Sequence, residues 1–199
     1  MTPFISLSGP VAPLLRDNID TDAIIPSREM KSTGRTGLAD GLFAGWRYRE
    51  GRVPDPDFVL NQPSYAAAPI LAGGANFGCG SSREHAVWAL MEWGIRAIIA
   101  PSFAPIFAAN CLRNGLLVVS LPSAAVAQIA GQEAAIDLAS QTVSCNTEIW
   151  PFAIDAEAKE MLLEGLDAID LTLKSQPEID AWTRADQAER PWVYLGEQT

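Results

Sequence analysis

The sequence is poor in the residues that chelate metals or build disulfide frameworks. It contains three cysteines, Cys79, Cys111 and Cys145, and one histidine, His85. An odd number of widely spaced cysteines argues against a disulfide framework and favours a reducing compartment. The cysteines also lack the close pairing typical of zinc ribbons and iron–sulfur motifs. We therefore expect a cytoplasmic protein with no metal site held by this chain alone.

Charged residues are also scarce, and most of them are acidic. They make up 19% of the 199 residues, with 14 Lys and Arg against 24 Asp and Glu, so the formal net charge is −10. This balance disfavours nucleic acid or an anionic membrane surface as a partner. No apolar run reaches the roughly 18 residues of a membrane span, and the first residues contain no secretory leader. A small anionic substrate remains compatible, because a local arginine and a helix N-terminus act at short range.

Apolar residues supply 48% of the chain, which is enough for one sizeable core. We predict a single domain over residues 1–199, with a loop-rich insertion at about 27–57 and a C-terminal helix at about 177–189. Alternating short strands and helices predict an α/β fold with a partly parallel sheet. The predicted strands are 4–15, 58–60, 70–72, 97–100 and 116–119; the other predicted helices are 82–93, 103–114, 123–130 and 155–164, with a polar turn at 16–22 and a connector at 166–173.

The most informative segment runs from Asn76 to His85 and has the sequence NFGCGSSREH. It lies between a predicted strand and a predicted helix. A glycine-rich turn of this kind presents backbone N–H groups at the helix start, and these groups attract anions. Arg83 can hold a carboxylate through two parallel hydrogen bonds, and Ser81 and Ser82 add hydroxyl groups. The segment therefore predicts a site for a carboxylate or a phosphate.

A capping box is the purely structural interpretation of the same residues. The pattern S-x-x-E fits Ser81 to Glu84, and in that arrangement both side chains satisfy backbone N–H groups at the helix start. Arg83 would then be a surface residue and His85 a hydrogen-bonded structural one. Two serines behind two glycines, followed by an arginine, exceed what a cap requires. Both interpretations stay open on the pattern alone.

Three familiar catalytic motifs do not fit this segment. The hydrolase elbow requires G-x-S-x-G, whereas the serines here follow Gly80 directly. The dinucleotide fingerprint requires a third glycine where Arg83 stands, and the lysine of a phosphate-binding P-loop is missing. His85 lies one helical turn from Ser81 and would have to face back across that turn to act in a triad. A serine hydrolase and a nucleotide-binding protein are both disfavoured.

The block from Gly78 to Ala86 closely resembles the signature of the 3-isopropylmalate dehydratase small-subunit family, within the aconitase superfamily. A second block, NIDTDAIIP at residues 18–26, is similar to the N-terminal signature of that family. The resemblance extends over nearly the whole chain, from about residue 10 to residue 182. Further matching positions are 61, 63, 99–103, 106–107 and 165–169.

The resemblance implies a fold and a reaction. The fold is the swivelling β/α domain of aconitase-type enzymes, with a mixed sheet and flanking helices. The reaction is a dehydration and rehydration that interconverts 2-isopropylmalate and 3-isopropylmalate in leucine biosynthesis. In the family a separate large subunit binds the [4Fe–4S] cluster, whose iron activates the leaving hydroxyl group. We expect this chain to bind no cofactor itself and to be active only with that large subunit.

The resemblance also implies roles for particular residues. Ser81 matches the serine that, as an alkoxide, removes the proton next to a carboxylate. Ser82 and Arg83 match positions that hold a substrate carboxylate, and Asp22 matches an active-site aspartate. The loop at residues 27–37 corresponds to the region that contacts the substrate's side chain. Its two arginines are further candidate carboxylate ligands, namely Arg28 and Arg35.

Two alternatives remain at this stage. A related hydro-lyase for citraconate, dimethylmalate or homoaconitate would use the same chemistry, and the loop sequence does not distinguish these substrates. A non-catalytic anion-binding or regulatory module would use the same helix start without turnover. We also expect exposed aromatic residues to contribute to the surface that binds the large subunit, and the candidates are Trp46, Tyr48 and Phe77.

Overall fold

A mixed sheet with helices on both faces forms the body of the protein. The computed structural model describes residues 1–30 and 34–194. The strands are β1 (Ser6–Leu14), β2 (Ile70–Gly73), β3 (Ala97–Ala100), β4 (Leu117–Ser120), β5 (Glu133–Asp137), β6 (Thr142–Cys145) and β7 (Glu148–Pro151). The α-helices are α1 (Thr21–Ile24), α2 (Ala44–Arg47), α3 (Glu84–Trp93), α4 (Pro105–Asn114), α5 (Ser123–Ile129), α6 (Ala156–Glu164), α7 (Ala168–Leu173) and α8 (Gln176–Glu189). Single 3₁₀ turns lie at Ser27–Glu29, Ala39–Gly41, Glu50–Arg52, Val59–Asn61 and Pro191–Val193.

The first strand joins a parallel half of the sheet to an antiparallel half. The strand order is β4-β3-β2-β1-β5-β6-β7. Strands β1 to β4 run parallel, and β5 to β7 pair antiparallel with their neighbours. Residues 11–14 of β1 pair with β2, whereas residues 6–10 pair with β5. The predicted α/β fold with a partly parallel sheet is confirmed.

Each face of the sheet buries its own apolar cluster. Successive residues of a strand point to opposite faces, so Ile70 and Ala72 belong to one cluster and Leu71 to the other. Helices α3 and α4, with apolar residues of the segment 38–60, cover the face of Leu71. Helices α5 and α6 cover the opposite face. Strands β2 and β3 are buried along their whole length, as expected for central parallel strands covered on both sides.

The helices predicted at 82–93 and 103–114 are confirmed as α3 and α4; each ends where predicted but begins two residues later. Helices α3 and α4 stop at Gly94 and Gly115, both of which adopt the left-handed conformation. This conformation is typical of the glycine that follows a helix, because it lets the backbone turn away at no steric cost. The predicted C-terminal helix is also present, as α8. None of the helices in the described ranges is long and apolar enough to cross a membrane.

Some local predictions were wrong, and the turn predicted at 16–22 was incomplete. The predicted strand at 58–60 is a 3₁₀ turn, where the amide of Asn61 donates to the carbonyl oxygens of Arg47 and Asp55. The predicted connector at 166–173 contains α7, whose capping box is formed by two aspartates, Asp167 and Asp170. The polar turn at 16–22 contains the start of α1, and Asp20 caps that helix by accepting from Ala23 N at 2.6 Å. Ser123 does not cap α5; Pro122 occupies that position.

A buried arginine holds part of the insertion against the body. The guanidinium of Arg47 lies over the ring of Tyr48 at 4.7 Å and over the ring of Trp93, on α3, at 4.5 Å. It also donates to the Tyr48 hydroxyl at 2.6 Å. Trp46 and Tyr48 are half-buried, but Phe77 is fully buried. The expectation that Phe77 is exposed was therefore wrong.

Candidate active site

The segment singled out from the sequence lies at the carboxyl ends of the parallel strands. Residues 18–22 follow β1, residues 76–83 follow β2 and residues 102–104 follow β3. Loops from neighbouring parallel strands converge at this edge, and ligands of open α/β sheets bind there. The topology therefore brings the two sequence signatures together.

Backbone hydrogen bonds join the two signatures into one unit. The N–H of Gly78 donates to the carbonyl of Ile19 at 2.7 Å, and the N–H of Thr21 donates to the carbonyl of Cys79 at 2.9 Å. The hydroxyl of Thr21 donates to the carbonyl of Ser81 at 2.9 Å. The loop that carries the serines is thus fixed to the strand-to-helix connection that carries the aspartates.

The other side of the glycine loop is fixed to the loop after β3. The N–H of Phe77 donates to the carbonyl of Ser102 at 3.0 Å, and the N–H of Ala104 donates to the carbonyl of Phe77 at 2.9 Å. The buried ring of Phe77 packs against Phe103 and Phe107, with ring centroids 6.2 and 5.6 Å apart. This aromatic cluster packs the glycine loop against the loop after β3 and the start of α4.

The capping-box interpretation is wrong in this structure. Helix α3 begins at Glu84, and its N-cap residue is Arg83, which makes no side-chain capping bond. The Glu84 carboxylate instead accepts from the Asn114 amide at 2.7 Å. In the described part of the chain, the hydroxyls of Ser81 and Ser82 have no hydrogen-bond partner. Both serines are therefore free to contact a ligand.

An ion pair connects the two signatures through their side chains. Arg83 Nη1 donates to Asp22 Oδ1 across a separation of 61 positions in the sequence. The exposed fraction of the side chain is 21% for Arg83 and 54% for Asp22. A guanidinium has five N–H donors, so this contact orients the group and leaves other donors available for a carboxylate.

A small pocket of about 80 Å³ adjoins these groups. The two serines and Arg83 line this pocket together with residues at the start of α4. This volume lies below the value of about 300 Å³ or more that is usual for ligand pockets. The lining residues are Thr21, Gly78, Gly80, Ser81, Ser82, Arg83, Ala104, Pro105, Ile106, Phe107 and Asn110.

Two lining residues were not predicted from the sequence. Thr21 was noted as part of a polar turn and of the signature at residues 18–26 but was given no role, although it is buried and its hydroxyl holds the serine loop. Asn110 lies three positions after Phe107 on the core-facing side of α4 and is 7% exposed. An asparagine that shares the buried face of α4 with Phe107 and Cys111 was the available signal.

The described residues offer no ligand set for an iron–sulfur cluster. Within residues 1–30 and 34–194, no group of three or more His, Cys, Asp or Glu is placed to hold a metal ion. The three cysteines are free thiols, and Cys111 and Cys145 are buried. Burial raises the pKa of the Cys111 thiol well above its ordinary value, so this residue serves as a small apolar group.

Comparison with known proteins relates this arrangement to one family. Residues 1–124 match the aconitase C-terminal domain. The chain is 58% identical to the 3-isopropylmalate dehydratase small subunit of Cupriavidus necator, over 98% of this chain and 99% of that one. It is 48% identical to small subunit 1 of the same enzyme from Bordetella pertussis, over 97% and 100%.

The chain belongs to the family of 3-isopropylmalate dehydratase small subunits. A crystal structure of 3-isopropylmalate dehydratase from Methanocaldococcus jannaschii agrees with this assignment. It is 28% identical, covers 90% of this chain and 99% of its own, and has a TM-score of 0.68. The resemblance stated from the sequence is confirmed, and so is the fold class.

The loop at residues 27–37 was predicted to contact the substrate. Its two arginines, Arg28 and Arg35, do not line the pocket of about 80 Å³. Arg28 pairs with Glu29 at 3.5 Å, and its side chain is 67% exposed. The guanidinium of Arg35 lies over the ring of Trp88, on α3, at 5.2 Å. Residues 31–33 of this loop are outside the described ranges. The roles of Arg28 and Arg35 as carboxylate ligands stay predictions.

His85 packs against Trp88, the same side chain that Arg35 contacts. Its ring lies 4.7 Å from the ring of Trp88, which in turn donates from Nε1 to Asn114 at 2.9 Å. The imidazole therefore contributes to the aromatic surface of α3. This placement agrees with the structural role expected from the sequence, although no hydrogen bond to His85 is present among the described residues.

Glu92 fastens the end of the same loop to α3. Its carboxylate accepts hydrogen bonds from the backbone N–H groups of Gly37, Leu38 and Ala39 at 2.6, 2.5 and 2.8 Å. Desolvation raises the pKa of this carboxyl, but the three hydrogen bonds outweigh it and lower the pKa below its ordinary value. Helix α3 thus holds the loop at one end and follows the serines at the other.

We expect Glu92→Gln to lower the free energy of unfolding by about 1 kcal/mol at pH 7, since a neutral amide accepts these bonds more weakly and the site is exposed. Because the folded-state pKa of Glu92 is lowered, its contribution is present above the ordinary value of 4.5 and is lost as the pH falls further. Urea unfolding at pH 7 and below pH 4.5 measures this. Glu148→Gln, on the exposed strand β7, is the control. If the free energies of unfolding of wild type and Glu92→Gln differ as much below pH 4.5 as at pH 7, the proposed contribution of Glu92 is wrong.

Proposed function

We propose that this chain is the small subunit of 3-isopropylmalate dehydratase and interconverts 2-isopropylmalate and 3-isopropylmalate together with a large subunit. The observation that carries the proposal is the meeting of Ser81, Ser82, Arg83 and Asp22 at the edge of one pocket. These residues come from two signatures that the backbone joins. The family assignment supports the same reaction.

Ser81 is the proposed base. As an alkoxide it would remove the proton from the carbon next to a substrate carboxylate. A serine hydroxyl is a very weak acid, so this role requires positive potential around its oxygen. Arg83 and the N-terminus of α3 supply that potential, and both act more strongly once water is excluded. The hydroxyl is not engaged in capping and is available for the proton transfer.

Ser82 and Arg83 are the proposed ligands of a substrate carboxylate. The guanidinium can donate two parallel hydrogen bonds to the carboxylate oxygens, and the Ser82 hydroxyl can add a third. Asp22 would hold the guanidinium in the required orientation. Arg28 and Arg35 are proposed to contact the substrate from the loop at 27–37.

The remaining wall of the site is proposed to come from the large subunit, because the pocket of about 80 Å³ is too small for a branched dicarboxylate. That subunit would hold the [4Fe–4S] cluster, which when bound supplies Lewis-acid activation of the leaving hydroxyl. This chain would act in the cytoplasm, where free thiols persist. We propose that residues 1–199 move as one swivelling domain.

Asp22→Asn is expected to lower kcat/KM by about tenfold, which corresponds to about 1.4 kcal/mol. The amide keeps the shape of the side chain but loses the charge that orients Arg83. Steady-state kinetics of the reconstituted enzyme measure the effect. Asp57→Asn is the matched control, since Asp57 also pairs with an arginine but its side chain is 88% exposed. Equal kcat/KM values for Asp22→Asn and Asp57→Asn would show that Asp22 has no role in the active site.

The substrate is tested by measuring kcat/KM side by side for isopropylmalate, citraconate, dimethylmalate and homoaconitate with the reconstituted enzyme. The proposal expects isopropylmalate to be preferred by at least about tenfold, the discrimination that one apolar group can supply. Deletion of the gene is expected to create a leucine requirement. A higher kcat/KM for another acid, with growth independent of leucine, would reassign the chain to a related hydro-lyase.

A further inference from the structure

Asn110 is a buried polar residue for which the proposed chemistry has no role. It lies on α4 and lines the pocket that contains Ser81, Ser82 and Arg83. The residue is only 7% exposed. Its side-chain amide has no hydrogen-bond partner within residues 1–30 and 34–194, although its backbone carbonyl accepts from Asn114 at 2.9 Å. The amide therefore lies in the pocket wall without a protein partner among the described residues.

The position of Asn110 is fixed by a clamp between α3 and α4. Asn114 Nδ2 donates to Glu84 at 2.7 Å and to the carbonyl of Asn110, while Asn114 Oδ1 accepts from Trp88 Nε1 at 2.9 Å. Glu84 is the first residue of α3 and follows Arg83 directly. The clamp thus connects the turn that carries Asn110 to the residues that carry the base and the carboxylate ligands.

The buried side-chain atoms without a partner belong to Arg47 and Trp93 among the described residues, so the amide of Asn110 opens onto the pocket instead of being sealed from solvent. An amide with no protein partner at a pocket wall can donate to a ligand in place of water. An asparagine amide offers two N–H donors and no charge, so it suits a carboxylate oxygen. The side chain beside it in the pocket lining is the apolar ring of Phe107. Asn110 therefore adds a polar donor to the pocket that the two serines also line.

We propose that Asn110 binds the substrate and donates from Nδ2 to an oxygen of the carboxylate next to the carbon that Ser81 deprotonates. This inference rests on the proposed function. When the C–H bond breaks, the proton passes to the Ser81 oxygen and the electron pair moves toward the adjacent carboxylate, whose oxygens gain negative charge. A donor placed at one of these oxygens stabilises the transition state more than the ground state.

The test compares Asn110→Asp with Asn110→Ala in the reconstituted enzyme. Asparagine and aspartate have nearly the same shape, but the aspartate replaces the N–H donor with a negatively charged oxygen. We expect kcat/KM to fall about 10³-fold for Asn110→Asp and about 10²-fold for Asn110→Ala, mainly through kcat. Asn146→Asp, the same change in the turn between β6 and β7, should keep wild-type kinetics. Thermal unfolding of each chain reports on folding separately.

A pH profile separates substrate binding from a structural role. A protonated aspartic acid can donate a hydrogen bond, so the ratio of Asn110→Asp to wild-type activity should rise as the pH falls, whereas the ratio for Asn110→Ala should stay constant. If the wild-type complex is active and the Asn110→Asp variant is equally active, the proposed role of Asn110 is wrong, whereas the proposed function stands. Parallel pH profiles for the Asp and Ala variants would overturn it as well. A wild-type complex inactive on all four acids would overturn the proposed function, and with it this inference.

Discussion

Replacing Ser81 with alanine will lower kcat of the reconstituted enzyme by about 10³-fold, the contribution typical of a positioned base. The substitution removes the oxygen that would accept the substrate proton. Among the described residues that line the pocket, no His, Glu or Asp is present to replace it. The hydroxyl of Thr21 is engaged with the carbonyl of Ser81. Because binding groups remain, KM should change far less than kcat.

The stability of Ser81→Ala separates catalysis from capping. Ser81 makes no capping bond, so the variant should unfold at the wild-type temperature. Ser82→Ala is the matched control, since it removes the neighbouring hydroxyl and should mainly raise KM. A variant that loses about 1 kcal/mol of stability, the usual cost of a lost cap, while keeping its turnover would restore the capping-box interpretation.

Replacing Gly78 with alanine will destabilise the protein by about 3–4 kcal/mol, through overpacking and a left-handed backbone. A Cβ atom at this position would lie 2.1 Å from Cγ and 2.4 Å from Cδ1 of the Phe107 ring. Its φ of 77° is one that residues with a side chain rarely adopt. Since Gly78 also donates to Ile19, any shift that relieves the clash would separate the two signatures and lower activity.

Gly51→Ala provides the matched control for this clash. Gly51 has a similar φ of 71°, but a Cβ atom there would meet nothing within 4 Å. The control should lose only about 1 kcal/mol, which is the cost of the backbone conformation alone. Urea unfolding of both variants gives the comparison. Equal losses for Gly51→Ala and Gly78→Ala would show that Phe107 does not support the loop as described.

Local sequence patterns predicted the elements that flank the site. The short apolar strands and the helix ends at Gly94 and Gly115 are set by residues close in the sequence. The order β2-α3-β3-α4-β4 could therefore be predicted. The capping box failed for a reason that is not local. Glu84 has the spacing of a capping residue, but Asn114, thirty positions later, takes its carboxylate. A contact of this kind between two helices cannot be predicted from ten consecutive residues.

The site itself was predicted through family resemblance rather than from geometry. Nothing local to Asp22 or Arg83 indicates that the two side chains meet, because the contact depends on β1 and β2 lying side by side. Asn110 was not predicted because it comes close to the serines only through the packing of α4 against α3, which brings them into the lining of one pocket. The roles of Arg28 and Arg35 toward a substrate remain predictions, as do those of Ser81, Ser82, Arg83 and Asp22.

The central claim is that this chain supplies the base half of an active site whose other half lies on another subunit. Its most direct test adds the purified chain to a cluster-loaded large subunit and follows the absorbance of isopropylmaleate. The account predicts that each protein alone is inactive, that the mixture turns over isopropylmalate, and that the Ser81→Ala chain binds the large subunit without restoring turnover. Turnover by the large subunit alone, or a fully active mixture with Ser81→Ala, would contradict it.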